Sequence, residues 1–372
     1  MNNAVKKIGF LVHPRDNTDF LRKFPYLSFL PKQALAFLTK HMPPVVVSEI
    51  TGLNTKEGIA IPGYIIAITM TARQMMEDRS FALKKIIQAV RFAKRKGVGI
   101  IGLGALTASL SKGGLDVASE VGGIGVTTGR AYTTKTVTDY VKKCIDDFGF
   151  DKAKVKIAVV GAGGSIGSSS AKILAAWGVK NFLFIDLKKR AEHLKKNVEH
   201  MSSVHFEAKI EITHAIKDIK GWDIVITATN APEALVSSDD ILPGTIIIND
   251  AQPSDIPENV IRERNDILVI EGGVIHTPGI KCNFNLGLAG KEDTFCCLGE
   301  VLVLARDGHF DNYALGELNM DLVAHVETVA KDLLFSISRF QNSVQKHIPE
   351  VQIEKVRGII KERCSERLLQ NL

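Results

Sequence analysis

The sequence predicts an α/β protein: a doubly wound parallel sheet, a second α/β domain before it and a helical C-terminal segment after it. Three observations predict this. Six short apolar runs fill the middle third: KIAVV (156–160), NFLFID (181–186), AKIEIT (208–213), DIVITAT (223–229), TIIIND (245–250) and ILVIEGG (267–273). Continuous Val/Ile runs of this kind mark parallel strands buried on both faces. Between them lie helical patterns, the first being SSSAKILAAWGV (168–179), so each strand is followed by a crossover. Finally, 372 residues exceed what one core holds comfortably and suggest about two domains.

The first half has a different texture. VVVSEI (45–50) and the pair GIAIPG/YIIAIT (58–69) read as strands. A long helical stretch follows near 73–95, where Met75, Met76, Phe81, Leu83, Ile86, Ile87, Val90 and Phe92 recur at helical spacing and mark a core-facing stripe. Next come the strand GVGIIGLG (97–104), a Gly/Ser-rich segment to Gly129 and a helix over 133–147. The resulting expectation is a substrate domain over 1–150, a dinucleotide-binding domain over 151–290 and a helical segment over 291–372. The tail after 340, with VQIEKVRGIIKERCSERLL, reads as a helix packed on its own domain, with self-association into a homo-oligomer as the alternative.

Composition narrows the class. With 45% hydrophobic and 24% charged residues the chain is of ordinary globular type. Its five cysteines are odd in number and scattered, which argues against a disulfide framework and for reduced thiols in a cytoplasm. The start lacks the apolar core of a signal peptide, and no apolar run approaches the roughly 20 residues that span a bilayer. A net charge of +6 is spread evenly, with no basic run interleaved with aromatics, so no nucleic-acid partner is expected.

Directly after the first middle strand stands Gly161-Ala162-Gly163-Gly164-Ser165-Ile166-Gly167. Such glycine spacing lets the backbone turn sharply and brings it close to a pyrophosphate at a helix N-terminus. In this strand–turn–helix setting it predicts a Rossmann-type dinucleotide site, with Ser165 and Ile166 opening the helix. Asp186 ends the second strand, where a carboxylate accepts from the adenosine ribose and favours NAD. Lys188, Lys189 and Arg190 follow at once and would neutralise the 2′-phosphate of NADP. At the end of the fourth strand, Thr229 and Asn230 fall on the carboxyl edge, where they border the nicotinamide half or form a plain polar turn.

The fold does not name a reaction. No tyrosine has a lysine four positions on, which weighs against short-chain alcohol dehydrogenase chemistry, and the histidines lack metal-ligand spacing. Thr294-Phe295-Cys296-Cys297 opens an apolar run. With Thr294 as N-cap, both cysteines fall in the first helical turn, where the macrodipole favours a thiolate. Adjacent helical positions point about 100° apart, so one sulfur is reactive and the other structural; burial of both is the alternative. A thiolate beside a nicotinamide supports attack on an activated acyl group, then reduction of the enzyme thioester to an aldehyde. His276, after the last strand, is a candidate acid/base.

These residues resemble the long-chain fatty acyl-[acyl-carrier-protein] reductases that form aldehydes. The resemblance runs over about residues 7–340. It rests on Ile8-Gly9-Phe10-Leu11-Val12-His13, the pair around 58–68, Leu103-Gly104-Ala105-Leu106-Thr107-Ala108, Thr127-Thr128-Gly129, the spacing of Gly161, Gly164 and Gly167, Glu271-Gly272-Gly273-Val274, and Phe295-Cys296-Cys297-x-x-Glu300. It implies NADPH-dependent reduction of acyl-carrier-protein or coenzyme A thioesters, and it places the family's acyl-accepting cysteine on Cys297. Asp186 departs from what an NADP-dependent family would carry, so NAD stays open as cofactor. The rivals are a shikimate- or amino-acid-type dehydrogenase with direct hydride transfer and a non-catalytic dinucleotide-binding protein.

Overall fold

The computed structural model describes residues 5–205, 207–231, 233–316 and 318–369, the side chains of 368 and 369 excepted; Pro232 lies outside them. The chain forms two compact units: Met1–Tyr132, Ile275–Leu286 and Gly290–Ser336 in the first, Thr133–Val274, Gly287–Ala289 and Ile337–Leu372 in the second. The division falls in the first turn of helix Arg130–Phe148 rather than near 150. Residues 291–372 form no unit of their own: helices Cys296–Arg306 and Met320–Asp332 belong to the first and helix Glu350–Leu369 to the second.

In the first unit, β1 (Lys7–Val12), β2 (Val45–Thr51), β3 (Gly63–Ala67), β4 (Val98–Leu103) and β5 (Gly125–Thr127) form a sheet of order β2-β3-β1-β4-β5, and Lys281–Cys282 adds to the β2 edge. β3, β1, β4 and β5 are parallel, while β2 runs against β3. Only the second half of the expected pair at 58–69 is a strand. Gly58 turns at φ +84° and Pro62 has no N–H for a ladder, so 58–62 keeps just the bridge Asn54–Ala60. The stretch at 73–95 is two helices, Ala72–Glu77 and Arg79–Arg95. Asp78 leaves helical geometry (φ −133°, ψ 69°), and its carboxylate accepts from the Phe81 N–H, capping the second helix. Its stripe is core: Met75, Ile86 and Val90 are buried with Leu11, Ile66 and Ile101.

The second unit holds β6 (Lys156–Val160), β7 (Asn181–Ile185), β8 (Lys209–Thr213), β9 (Ile224–Thr227), β10 (Ile246–Asn249) and β11 (Leu268–Glu271). They are parallel in the order β8-β7-β6-β9-β10-β11, the doubly wound arrangement with its switch point between β6 and β9. Helix Ser165–Trp177 starts three residues before the expected position and ends on Gly178 in the left-handed region (φ +112°). Helix Glu350–Leu369 buries Ile353, Val356 and Ile360 in this unit's core, as the packed-tail reading expects. Its Arg363 and Arg367 reach Asp223, just before β9, at 2.7 and 2.9 Å; that carboxylate is 1% exposed and also accepts from the Lys156 N–H.

Candidate functional site

The residues singled out in the sequence divide between the units: the glycine turn, Asp186, Lys188, Thr229 and Asn230 lie in the second, Cys297 and His276 in the first.

In the second unit the turn is as tight as its glycines require. Gly161 has φ +89°, and a Cβ there would lie 2.5 Å from the Ala228 carbonyl oxygen; one on Gly167 would lie 2.6 Å from the Gly161 oxygen. The Gly161 N–H donates to Ile185 O and the Gly164 N–H to Gly161 O, each at 2.9 Å. Gly164 caps helix Ser165–Trp177 without a side-chain partner for the first-turn N–H groups. That cradle, with no Cβ over Gly163 or Gly164 and an N-terminus lacking a side-chain cap, fits a pyrophosphate.

Asp186 behaves differently from a ribose acceptor in waiting. Its carboxylate accepts from the Gly163 N–H at 2.8 Å and the Leu187 N–H at 2.7 Å, and the side chain is only 6% exposed. It braces the turn from behind, while Lys188, Lys189 and Arg190 are exposed beside it. At the edge of β9, the Thr229 hydroxyl donates to Asp255 Oδ1 at 2.6 Å, and Asn230 is exposed. Sequence reasoning missed Asp255 and Asn249. Asn249 Oδ1 accepts from the Thr227 hydroxyl at 2.9 Å and from the Asp255 N–H at 3.3 Å. Both residues are fully buried, and Asn249 Nδ2 and Asp255 Oδ2 have no hydrogen-bond partner. Burial pushes the Asp255 carboxyl up to about 6, against the Thr229 hydrogen bond that lowers it.

In the first unit the two thiols separate as a helix start dictates. Helix Cys296–Arg306 is capped by Phe295, not Thr294; the Thr294 hydroxyl is buried with no partner. Cys296 and Cys297 still occupy the first turn. Cys296 is 3% exposed and belongs to the core, whereas Cys297 is half-buried. The helix lies across β4, where a Cβ on Gly102 would meet Val301 at 2.4 Å. On the other side Gly129 (φ +77°) comes so close that its Cβ would stand 2.3 Å from Cys297 Cβ and 2.4 Å from its Cα.

Glu300, one turn beyond Cys297, is fully buried and holds this arrangement. Its Oε1 accepts from the Thr127 hydroxyl and, at 3.1 Å, from the Gly129 N–H; its Oε2 accepts from the Tyr132 N–H at 2.8 Å. Burial raises its pKa, opposed by these hydrogen bonds. The signal was present: Glu300 is the one charged residue in the apolar run 296–305, and a carboxylate there needs partners. His276 lies with Nδ1 3.4 Å from Asp293 Oδ1, in the short strand Asp293–Phe295 that feeds the helix, and Nε2 3.9 Å from Glu292. A second histidine, His13, follows β1. Its Nε2 accepts weakly from the Leu106 N–H (3.4 Å), its Nδ1 lies 3.0 Å from Pro14 O, and burial lowers its pKa. It shares the carboxyl edge of the sheet with Ala105, a non-glycine residue at φ +49° after β4, and Gly129 after β5. Such edges are where α/β sheets bind ligands.

A family model for shikimate/quinate 5-dehydrogenases matches residues 143–270. The chain is 22% identical over 337 residues to aminotransferase PigE of Serratia sp., covering 87% of this chain but only 39% of that protein. It is 25% identical over 346 residues to a long-chain acyl-[acyl-carrier-protein] reductase of Synechococcus elongatus, covering 87% of this chain and 95% of that protein. Among solved structures, Entamoeba histolytica malic enzyme superposes with a TM-score of 0.41 at 14% identity (99% of this chain, 77% of that one). L-Tryptophan dehydrogenase from Nostoc punctiforme does so with a TM-score of 0.40 at 13% identity (97% and 89%). The family match falls on the strand–turn–helix region of β6–β11, so this chain carries a dinucleotide-binding, oxidoreductase-like Rossmann unit.

Proposed function

We propose that the protein reduces a fatty acyl thioester, carried by acyl carrier protein or coenzyme A, to an aldehyde with NADPH, and that Cys297 takes the acyl group. The observation that carries this reading is the half-buried Cys297 in the first turn of a helix whose neighbouring Cys296 is buried. The relative that reduces long-chain acyl-[acyl-carrier-protein], matched over 95% of its length, supports it.

The helix start lowers the cost of a thiolate at Cys297. The sulfur attacks the acyl carbonyl, a new C–S bond forms, and the carrier sulfur leaves with a proton. His276, tied to Asp293, is the proposed donor of that proton. Glu300 keeps the 127–132 segment, from the end of β5 into the first turn of helix Arg130–Phe148, seated against Cys297 throughout. In the second unit, Gly161, Gly163, Gly164, Ser165, Ile166 and Gly167 would hold the pyrophosphate, and Thr229 and Asn230 would border the nicotinamide. Asp186 braces the turn, and Lys188 would meet the 2′-phosphate, which favours NADP over NAD in this proposal. When bound, the dinucleotide supplies the hydride that converts the acyl group to an aldehyde, and the Cys297 sulfur is released as thiolate.

Incubation with an acyl thioester without dinucleotide should leave an acyl adduct that mass spectrometry maps to Cys297. The adduct should persist in Cys296→Ser and vanish in Cys297→Ser. A label confined to another residue would overturn the assignment. The match of residues 143–270 to shikimate/quinate dehydrogenases favours a second reading, direct hydride transfer to a small carbonyl acid. In that case Cys297→Ser retains turnover.

A further inference from the structure

Between Phe20 and Ser48 the chain carries four Lys/Arg and no Asp or Glu. The same stretch shows three aromatic rings to solvent: Tyr26 is 67% exposed, Phe29 78% and Phe37 69%. Tyr26 lies in the one-turn helix Pro25–Leu27, Phe29 in the turn after it, and Phe37 on helix Lys32–His41. In that helix Leu35 and Thr39 are the buried residues, so Phe37, two positions from each, takes the outer side, tilted against His41 at 4.5 Å between ring centroids. Three large rings more than two-thirds exposed within twelve residues are far from the scattered single exposures of an ordinary surface.

The charges decide the occupant. Arg22 and Lys40 keep ion pairs with Asp19 (3.3 Å) and Asp78 (3.0 Å), and the Lys23 ammonium donates to the Val47 carbonyl; Lys23 and Lys32 carry the surplus positive charge. A second copy would set like charges against each other. The rings project rather than line a groove, which suits a soft surface into which they can sink, with lysines at headgroup level. We propose that the face formed by residues 23–41 seats on an anionic lipid bilayer, as a peripheral contact. No helix among the described residues is long and apolar enough to cross a membrane. The proposal does not rest on the reaction assigned above.

The test is co-sedimentation of the full-length protein with phosphatidylcholine vesicles, with and without roughly one-third phosphatidylglycerol. Binding should be stronger on the anionic vesicles and weaken with salt. Phe29→Ser with Phe37→Ser should reduce it about tenfold on both, and Lys32→Glu about fivefold on anionic vesicles only. Phe29→Trp, which preserves the aromatic, should show indole fluorescence quenched by brominated lipid. Absence of vesicle binding, wild-type binding by the double serine variant, or an unquenched Trp overturns the proposal. So does a double variant that keeps vesicle binding but loses self-association or binding to an acidic carrier protein, since the face would then serve a protein partner.

Discussion

Gly129 is packed flush on Cys297: any Cβ at position 129 would fall within 2.4 Å of the cysteine's own Cα and Cβ. The loop that carries Gly129 is hung on Glu300 from the same helix as Cys297, so one helix supplies both the thiol and the acceptor that fixes its neighbour. Gly129→Ala adds overlap to a residue at φ +77° and must displace the thiol. Turnover should fall at least about a hundredfold, with a stability loss of about 1–3 kcal/mol. Dinucleotide affinity, measured by fluorescence titration, should stay unchanged.

Glu300→Gln puts an amide N–H₂ where a carboxylate accepted from three donors, and at least one buried N–H then loses its acceptor. Urea unfolding should show a loss of about 1–3 kcal/mol. Acyl transfer to Cys297 should slow as the 127–132 segment loosens. Wild-type rates of adduct formation in this variant would remove Glu300 from the site.

The cofactor end separates two roles. Lys188→Ala should weaken NADPH about tenfold and leave NADH nearly unaffected. Asp186→Ala should weaken both by about that factor, because it removes the acceptor of the Gly163 N–H rather than a contact to one cofactor. Calorimetric titration with each dinucleotide distinguishes the two patterns. Selective recovery of NADPH binding by Asp186→Ala would instead mean that the carboxylate repels the phosphate.

Asp255 gives the second unit a pH dependence of definite sign. Its folded value is pushed up to about 6, against about 3.9 in an unfolded chain. The folded form therefore holds the proton more tightly. The stability this contributes is complete below about pH 4 and is lost as pH rises through 6. Asp255→Asn keeps the neutral form at every pH. Its melting temperature should match the wild type at about pH 4 and exceed it at about pH 8. Equal curves at both ends would show that Asp255 is ionised without penalty.

The strands of the second unit other than β8 were legible because burial on both faces writes itself as continuous apolar runs; the edge strand β8 is largely exposed, and β6–β11 all fall inside the six runs. The glycine turn was legible for a related reason, since only glycine tolerates the approach of the Ala228 and Gly161 oxygens. Helices Asn17–Lys23 and Lys32–His41 were not read from the sequence: Phe37 on the solvent side spoils the apolar stripe that periodicity would detect. Asp78 hid in a helical pattern because a cap residue and a solvent-facing acid look alike until the backbone turns. Helix geometry expects one reactive and one structural thiol at Cys296/Cys297; the structure buries Cys296 and half-buries Cys297, and the cap is Phe295 rather than Thr294. Asp255 escaped because the hydroxyl that donates to its carboxylate, on Thr229, is 26 residues away, and nothing local marks a carboxylate that folding will enclose.

Asp223 waits 140 residues for Arg363. During synthesis the β6–β9 pairing can form long before that guanidinium emerges, leaving the Asp223 carboxylate and the apolar surface that takes Ile353, Val356 and Ile360 without the helix that covers them. The nascent second unit should therefore stay open and chaperone-dependent until helix Glu350–Leu369 leaves the ribosome, and a chain halted before residue 350 should be cleared by proteases even though every strand of its six-stranded sheet is present.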